Sequence, residues 1–553
     1  MKKKTGTLAW IAKRVKPFVL ALILLIVIAT VISYINVQFA LVSRTLIDVA
    51  TKQIEGNVLE SVIKLALLLV LQLVLQVLYI RTHITISGKL NMAIRTELYY
   101  KLLKKDYISV SGMHSGEVLS RLISDVSLVS EQTTSIIPNV ISLLSTILFS
   151  FIALYQLDKY FALACLAIGP VVMLAAYIYK KKIKTLHLQC RESDGKVRSF
   201  LQETIQNFLV VKAFGRENVM RESSHGLQYE NFKLHVKRST VGILANVMFF
   251  LAVTAGYYIA LGWSVYRLSL GLITFGTVTA VLGLVSQLQT PFRDLASVLP
   301  QVYMVSASAQ RLMDLDNLPE EPKKLAEKDV SELSDFSEIC FSDICFSYGD
   351  VPVLDHVNLT IEKGDFIAIC GPSGGGKSTL TRILLAVLSP ESGRAYLKLQ
   401  NGEELPFTSE TRPLFSYVPQ GNLILSGTIR ENIAFSEKEP DEEKIKRALE
   451  LAQLTEVIDG LPNGLDTVLG EKGHGLSEGQ VQRVALARAF YYDAPVLLLD
   501  EATSSLDMET ESSLLNHIRK LTDKTCIIVS HRKEVIDACD KTYYLQDGTL
   551  QVL

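Results

Sequence analysis

The chain has 553 residues, 49% of them hydrophobic and 20% charged, with a formal net charge of −1 and a mean hydropathy of +0.27. That length exceeds one ordinary domain, and the apolar excess points to membrane content. The near-neutral charge, with basic clusters only beside apolar runs, leaves no footprint for nucleic acid.

In chain order, residues 1–16 carry Lys2, Lys3, Lys4, Lys13, Arg14 and Lys16 with no acid. An all-α transmembrane domain is expected over 1–318, with six helices at approximately 17–43, 59–81, 136–157, 160–179, 241–265 and 270–295. About 20 helical residues cross the hydrocarbon, so five runs suffice; the uncharged part of the second, about Leu65–Ile80, is short unless Lys64 and Arg81 snorkel at its ends. The first is too long for a signal-peptide core and lacks a small-residue cleavage site, so it reads as a retained helix. Basic residues cluster at the N-terminus, after the second span and after the fourth. By the positive-inside rule these lie in the cytoplasm, with the soluble C-terminal domain on the same side of a plasma or inner membrane.

The inner segments, about 82–135 and 180–240, are helical in pattern and continue the spans as long cytoplasmic extensions. They break near Ser109 to Gly116 and near Gln206-Asn207. These bends either press on the soluble domain or are ordinary hairpin turns. No Asp, Glu, Lys, Arg or His occupies the middle of a span. A charge there costs about 2.5–3.5 kcal/mol and marks an ion path, so proton or metal-ion coupling is disfavoured. Gln72 and Gln76 share one helical face, where they line a cavity or bond between helices, the second being the more frequent role.

Residues 319–335 are polar and read as a linker, and 336–553 turn to short strands and amphipathic helices, an α/β pattern. Seven cysteines are scattered, with no CxxC pair. Cys340 and Cys345 are nearest, but no other cysteine or histidine pair completes a zinc site around them, so they read as reduced, half-buried strand residues.

The run Phe366–Cys370 leads into GPSGGGKST: Gly371, Pro372, Ser373, Gly374, Gly375, Gly376, Lys377, Ser378 and Thr379. Strand, glycine-rich turn and helix start come in the order of a phosphate cradle. Backbone N–H groups curl toward one point, Lys377 supplies a mobile cation, and Ser378 offers an oxygen to Mg²⁺. Leu476–Gln480 reads LSEGQ, with Ser477 and Gln480 at capping-box spacing. That makes a second helix start suited to an anion. One nucleotide does not need both, which suggests that this one serves a second copy. The apolar run Val496–Leu499 ends in Asp500 and Glu501. A buried central strand would place these acids where phosphate loops gather, Asp500 for Mg²⁺ and Glu501 for the attacking water.

Taken together, GPSGGGKST, Tyr417-Val418-Pro419-Gln420, LSEGQ, VLLLDE and Ile528-Val529-Ser530-His531-Arg532 make the chain resemble an exporter-type half-transporter of the ABC superfamily. The resemblance covers nearly the whole chain. It implies six membrane helices fused to one α/β P-loop ATPase domain, with ATP and Mg²⁺ as cofactors. It implies that Tyr348, by itself an ordinary strand residue, stacks on adenine. Gln420 resembles the glutamine that reaches Mg²⁺ and the attacking water, so the implied metal set is Ser378, Gln420 and Asp500. His531 resembles the histidine that bonds the γ-phosphate. Asp507 resembles the acid facing the opposite subunit, and Glu471 an element that contacts the inner bends. Ser477, Gly479 and Gln480 would touch the partner's ATP. Glu478 departs from the commoner glycine and is expected to point outward.

The resulting expectation is an ATP-driven exporter or flippase of an amphipathic substrate. It acts as a dimer in the lipid bilayer, a homodimer being favoured over a heterodimer, with ATP hydrolysed at sites shared by two ATPase domains. The alternative is an ATP-responsive sensor or gated channel that does not pump; intact Glu501 and His531 speak against it. A nutrient importer is disfavoured by the fusion order and the long inner helices.

Overall fold

The computed structural model describes residues 2–321, 333–421, 424–435, 437–470, 475–521 and 523–553, with side chains left undescribed at 2–5, 164–184, 245, 246, 249, 252, 293, 296 and 299. Two units emerge. One holds Met1–Leu103 and His114–Asn317, the other Lys104–Met113 and Leu318–Leu553.

In the first unit the apolar runs become helices because a backbone in lipid must satisfy its own hydrogen bonds. In chain order the helices are α1 Lys2–Val15, α2 Val19–Ala50, α3 Val58–Leu102, α4 Tyr107–Ser111 (spatially in the second unit), α5 Ser115–Ser120, α6 Val126–Leu157, α7 Lys159–Gln206, α8 Phe208–Ala213, α9 Glu217–Ser269 and α10 Phe275–Asp316. A π-helical turn, Arg121–Asp125, joins α5 to α6. The long helices α3, α7, α9 and α10 have 45, 48, 53 and 42 residues. Each is longer than the about 20 residues that one crossing of a bilayer takes. Among the described residues, Gly6–Ala50, Val58–Leu102 and Ser115–Leu157 are long and apolar enough to cross.

The helix starts follow from side-chain caps. Asn57 accepts from the Leu59 amide at 2.8 Å, Asp158 from Tyr160 and Phe161, and Thr274 from Thr277. The basic N-terminus is itself a helix. Trp10 and Arg14 of α1 both reach Asp316 at 2.9 Å, Arg14 also reaches Glu97 at 2.8 Å, and Lys101 meets Asp316 at 2.8 Å. The ends of α1, α3 and α10 are therefore held at one carboxylate. Gln72 bonds Asn36 at 3.0 Å, and Gln287 donates to the Asn36 carbonyl at 3.0 Å. Gln72 thus bonds between helices, whereas Gln76 is exposed.

The second unit carries two main sheets. The antiparallel one has order β2-β1-β4-β5, from β1 Phe336–Tyr348, β2 Val351–Glu362, β4 Ser392–Leu399 and β5 Glu404–Pro406. The six-stranded one has order β12-β11-β3-β10-β9-β6, from β3 Phe366–Cys370, β6 Phe415–Val418, β9 Val496–Asp500, β10 Thr525–Val529, β11 Lys541–Gln546 and β12 Thr549–Val552. A short ribbon pairs β7 Gly427–Thr428 with β8 Val468–Leu469. Strands β3, β9 and β10 are buried at every residue, as their unbroken apolar runs require. The helices are α11 Lys377–Leu384, α12 Ile429–Ile433, α13 Glu442–Leu451, α14 Thr455–Asp459, α15 Glu478–Tyr492, α16 Met508–Arg519 and α17 Lys533–Asp537.

The bend Lys104–Met113 is stitched to the start of this unit. The Asp106 amide donates to the Pro319 carbonyl at 3.0 Å, and the Glu321 amide to the Lys104 carbonyl at 3.1 Å. Glu321 in turn forms a paired contact with Arg412 at 2.9 and 3.0 Å. The expected linker, 319–335, falls largely outside the described residues.

Candidate functional site

Strand register assembles the site. Ile369, Val529 and Asp500 lie side by side across β3, β10 and β9, and Val418 of β6 lies beside Leu499. These four of the sheet's five parallel strands therefore end along one edge. The residues that follow are the phosphate loop, Ser530-His531, Glu501 and Pro419-Gln420. Ligands of open α/β sheets sit off this edge, where turns and helix starts collect.

Gly376 precedes α11 with φ 97°, a left-handed value that suits glycine, and a side chain there would press within 3.0 Å of the Val353 carbonyl. Lys377 is buried, and its Nζ donates to the Gly371 and Pro372 carbonyls at 2.9 Å each. Pro372, Ser373 and Gly374 are exposed and Ser378 is half-buried, so the loop opens to solvent above a fixed cation. Thr379 faces inward.

Three of the sequence-predicted side chains converge. Gln420 Nε2 donates to Glu501 Oε2 at 2.6 Å, and His531 Nδ1 lies 3.8 Å from Glu501 Oε1. Glu501 has φ 50°, and its amide donates to the Val529 carbonyl at 2.9 Å, which turns the chain sharply at the strand end. Asp500 is only 3% exposed. Burial, and then the neighbouring Glu501, push its carboxyl above the usual range. A buried carboxylate beside a second carboxylate, with the Thr381 hydroxyl at 3.4 Å, is an oxygen-rich set that demands positive charge. This donor chemistry fits a hard divalent cation such as Mg²⁺.

Tyr348 is partly exposed, stands edge-on to Phe346 at 5.0 Å, and accepts from Arg382 at 3.1 Å. Arg382, on α11, also lies over the Tyr107 ring of the bend at 5.7 Å. Nothing in its local pattern marks Arg382; only the fold brings the bend to it.

The LSEGQ run starts α15 with the expected reciprocal cap. The Gln480 amide donates to Ser477 Oγ at 3.3 Å, and the Ser477 amide to Gln480 Oε1 at 2.9 Å. Gly479 comes so close to the Ser505 carbonyl that a Cβ would sit 2.8 Å away. Glu478 is exposed. Among the described contacts none joins Ser477, Gly479 or Gln480 to the phosphate loop of their own chain. Asp507 is exposed and caps α16 through Thr510 at 2.9 and 2.8 Å; those hydrogen bonds hold its carboxyl below the usual range. Glu471 lies outside the described residues.

Two contributors escape a motif-based reading. Gln482 donates to the Glu501 carbonyl at 3.0 Å and accepts from the Ser505 amide at 3.0 Å, tying α15 to the backbone of the acid. Arg532, next to His531, bonds Glu511 at 2.7 Å and the Thr503 carbonyl at 3.2 Å.

Residues 19–292 match the family model for the ABC transporter transmembrane region, and 354–504 match that for the ABC transporter ATPase module, described simply as ABC transporter. An ATP-dependent lipid A-core flippase of Desulfotalea psychrophila is 31% identical over 452 residues, which is 80% of this chain and 78% of that protein. A flippase of the same name from Vibrio parahaemolyticus is 28% identical over 475 residues, 84% and 80% respectively. The structure of a bacterial Atm1-family ABC exporter with ATP bound shares the fold, with TM-score 0.75 and 23% identity over 97% of this chain and 94% of that one. The chain belongs to the ABC transporter family as an exporter-type half-transporter, a membrane protein whose ATP-binding domain couples ATP hydrolysis to export.

Proposed function

We propose that two copies of this chain close on two ATP molecules and thereby flip an amphipathic, lipid-like substrate across the cell membrane. In each site the phosphate loop of one copy, Gly371 to Thr379, holds the phosphates. Ser477, Gly479 and Gln480 of the other copy complete the shell. The observation that carries this reading is the convergence of Gln420, His531 and Glu501 at the strand edge, while the LSEGQ helix start makes no described contact with its own loop.

Glu501 takes the proton of the attacking water, Gln420 orients the acid and the water, and His531 bonds the γ-phosphate. Tyr348 offers its free ring face to adenine, and Asp507 lies at the seam between copies. Ser378, Gln420 and Asp500 would hold Mg²⁺, which when bound offsets charge on the phosphate oxygens. The ATPase domains face the cytoplasm, because the basic stretches beside the spans belong there. Identical copies suffice, since one chain carries every motif. An uncharged bilayer interior suits an amphiphile with its polar part elsewhere, and the relatives named as lipid A-core flippases fit that class.

The test is covalent. Ser373→Cys combined with Ser477→Cys, oxidised during nucleotide trapping, should yield a linked dimer on a denaturing gel. A bond formed only within single chains, or none under trapping, removes the shared-site reading.

The bend Lys104–Met113 passes domain closure to the membrane helices, a rigid-body switch driven by a ligand that favours one state. Arg382 is its positioning residue, joining Tyr107 to Tyr348. Its two contacts are worth about 1 kcal/mol each, so Arg382→Ala should raise the Kd for ATP about 5- to 30-fold. Stimulation of ATPase by amphiphiles should also fall. Arg382→Ala with unchanged affinity and full stimulation would strip Arg382 of this role.

A further inference from the structure

The β1–β2 hairpin brings Cys345 of one strand to the adjacent pair Asp355 and His356 of the other. Cys345 Sγ and one ligand atom each from Asp355 and His356 all lie within 4.8 Å of one another. His356 Nε2 is 3.7 Å from Asp355 Oδ1. Its Nδ1 is 2.6 Å from Asp343 Oδ1, and its backbone amide donates to Cys345 Sγ at 3.4 Å. Spacing alone did not reveal this group, because His356 reaches Cys345 through antiparallel pairing and a shifted register.

The backbone is built to aim these groups. The β1–β2 register slips on both sides of Ile344, and both Asp343 (φ 58°) and His356 (φ 50°) adopt left-handed values. Such bulges redirect side chains that regular pleating would send to opposite faces. Asn358 fixes the turn from below. Its Oδ1 accepts from the Asp343 amide at 2.9 Å, and its Nδ2 donates to the His356 carbonyl at 3.0 Å. Among the described residues no lysine or arginine pairs with Asp343 or Asp355, so two carboxylates and a thiol share the corner with only the imidazole.

We propose that Cys345, Asp355 and His356 bind a zinc-class divalent cation on the β1–β2 hairpin, with Asp343 orienting the imidazole. Thiolate, imidazole and carboxylate together select Zn²⁺ and its near relatives over Mg²⁺ or Ca²⁺. Ligands sharing a tetrahedral zinc stand about 3.3–3.7 Å apart, from bond lengths of about 2.0–2.3 Å. The His356–Asp355 pair already has that separation, and both side chains are exposed enough to turn inward. Water fills the fourth position. Asp343 on the second ring nitrogen completes the carboxylate–histidine–metal arrangement that fixes ring orientation. The ion would pin β1 to β2 beside Tyr348 and next to Val353, whose carbonyl backs Gly376.

The experiment uses the full chain in detergent, nucleotide-free and stripped by a chelator that is then removed. Zn²⁺ is titrated against a chromophoric competitor, and Co²⁺ is added separately as a spectroscopic probe. One tight equivalent per chain is expected, with a thiolate-to-cobalt charge-transfer band. Cys345→Ser should abolish the band, His356→Ala should remove the tight equivalent, and Asp343→Asn should weaken it about 10- to 100-fold. Excess Mg²⁺ should not compete. ATP binding retained by each variant certifies its fold. The same zinc stoichiometry and affinity in wild type, Cys345→Ser and His356→Ala, or a wild type with no tight equivalent, overturns the proposal.

Discussion

Glu501→Gln should bind ATP as tightly as the wild type yet hydrolyse it about 10²- to 10⁴-fold more slowly, the contribution of a positioned general base. The substitution keeps shape and hydrogen bonding. Gln420 still has an acceptor at 2.6 Å, and the amide bond to Val529 is untouched. What is lost is the ability to accept a proton from water. The check is paired: equilibrium nucleotide binding and steady-state phosphate release on the same preparation in lipid. Release within about threefold of wild type would mean that another group takes the proton, and His531 would be the first to examine. The variant should also accumulate ATP-bound dimers, since binding favours closure and hydrolysis undoes it.

The second large effect is expected at Arg532. Its guanidinium bonds a Glu511 carboxylate that is almost completely buried, and it also meets the Thr503 carbonyl. The other Glu511 oxygen, Oε1, has no hydrogen-bond partner among the described residues. Arg532→Ala therefore leaves a buried carboxylate with neither oxygen satisfied, at a cost of about 3 kcal/mol. For a unit of this size that lowers the Tm by roughly 6–12 °C. Arg532→Lys should recover only part, because an ammonium cannot serve a carboxylate and a carbonyl in the same planar geometry. Scanning fluorimetry with and without ATP reads the shift, and turnover should fall as His531 loses its neighbour. A Tm within 2 °C of wild type would show that the switch strand is anchored elsewhere.

Chemistry that depends on local order was legible in the residues. GPSGGGKST names its cradle because strand, turn and helix are contiguous, and LSEGQ names its reciprocal cap because two residues three positions apart, Ser477 and Gln480, define it. For Gln72 the more frequent of the two roles open to it, a bond between helices, is the one the structure shows, whereas Gln76 on the same face is exposed. What pairing across the sheet creates was not legible. Arg382 gains meaning only when the bend Lys104–Met113 packs above it, over 270 positions away in the chain. Gln482 lies in the motif helix, but its grip on the Glu501 carbonyl depends on how the fold seats that helix against the sheet. The Cys345 corner was missed because cysteine and histidine were sought at fixed spacings, whereas two register shifts brought them together. The helical N-terminus was missed because its lysines explain topology equally well; the contacts of Trp10 and Arg14 with Asp316 distinguish the two.

The discontinuous makeup of the second unit bears on how the protein can be divided. A fragment begun at Leu318 would carry every motif named here, yet it would lack ten residues of its own wall. The carbonyl of Pro319 would lose its amide donor, and Arg382 would lose the ring above it. Such a truncated cassette is an amputated piece rather than a module lifted out whole, and its catalytic constants would describe a damaged surface.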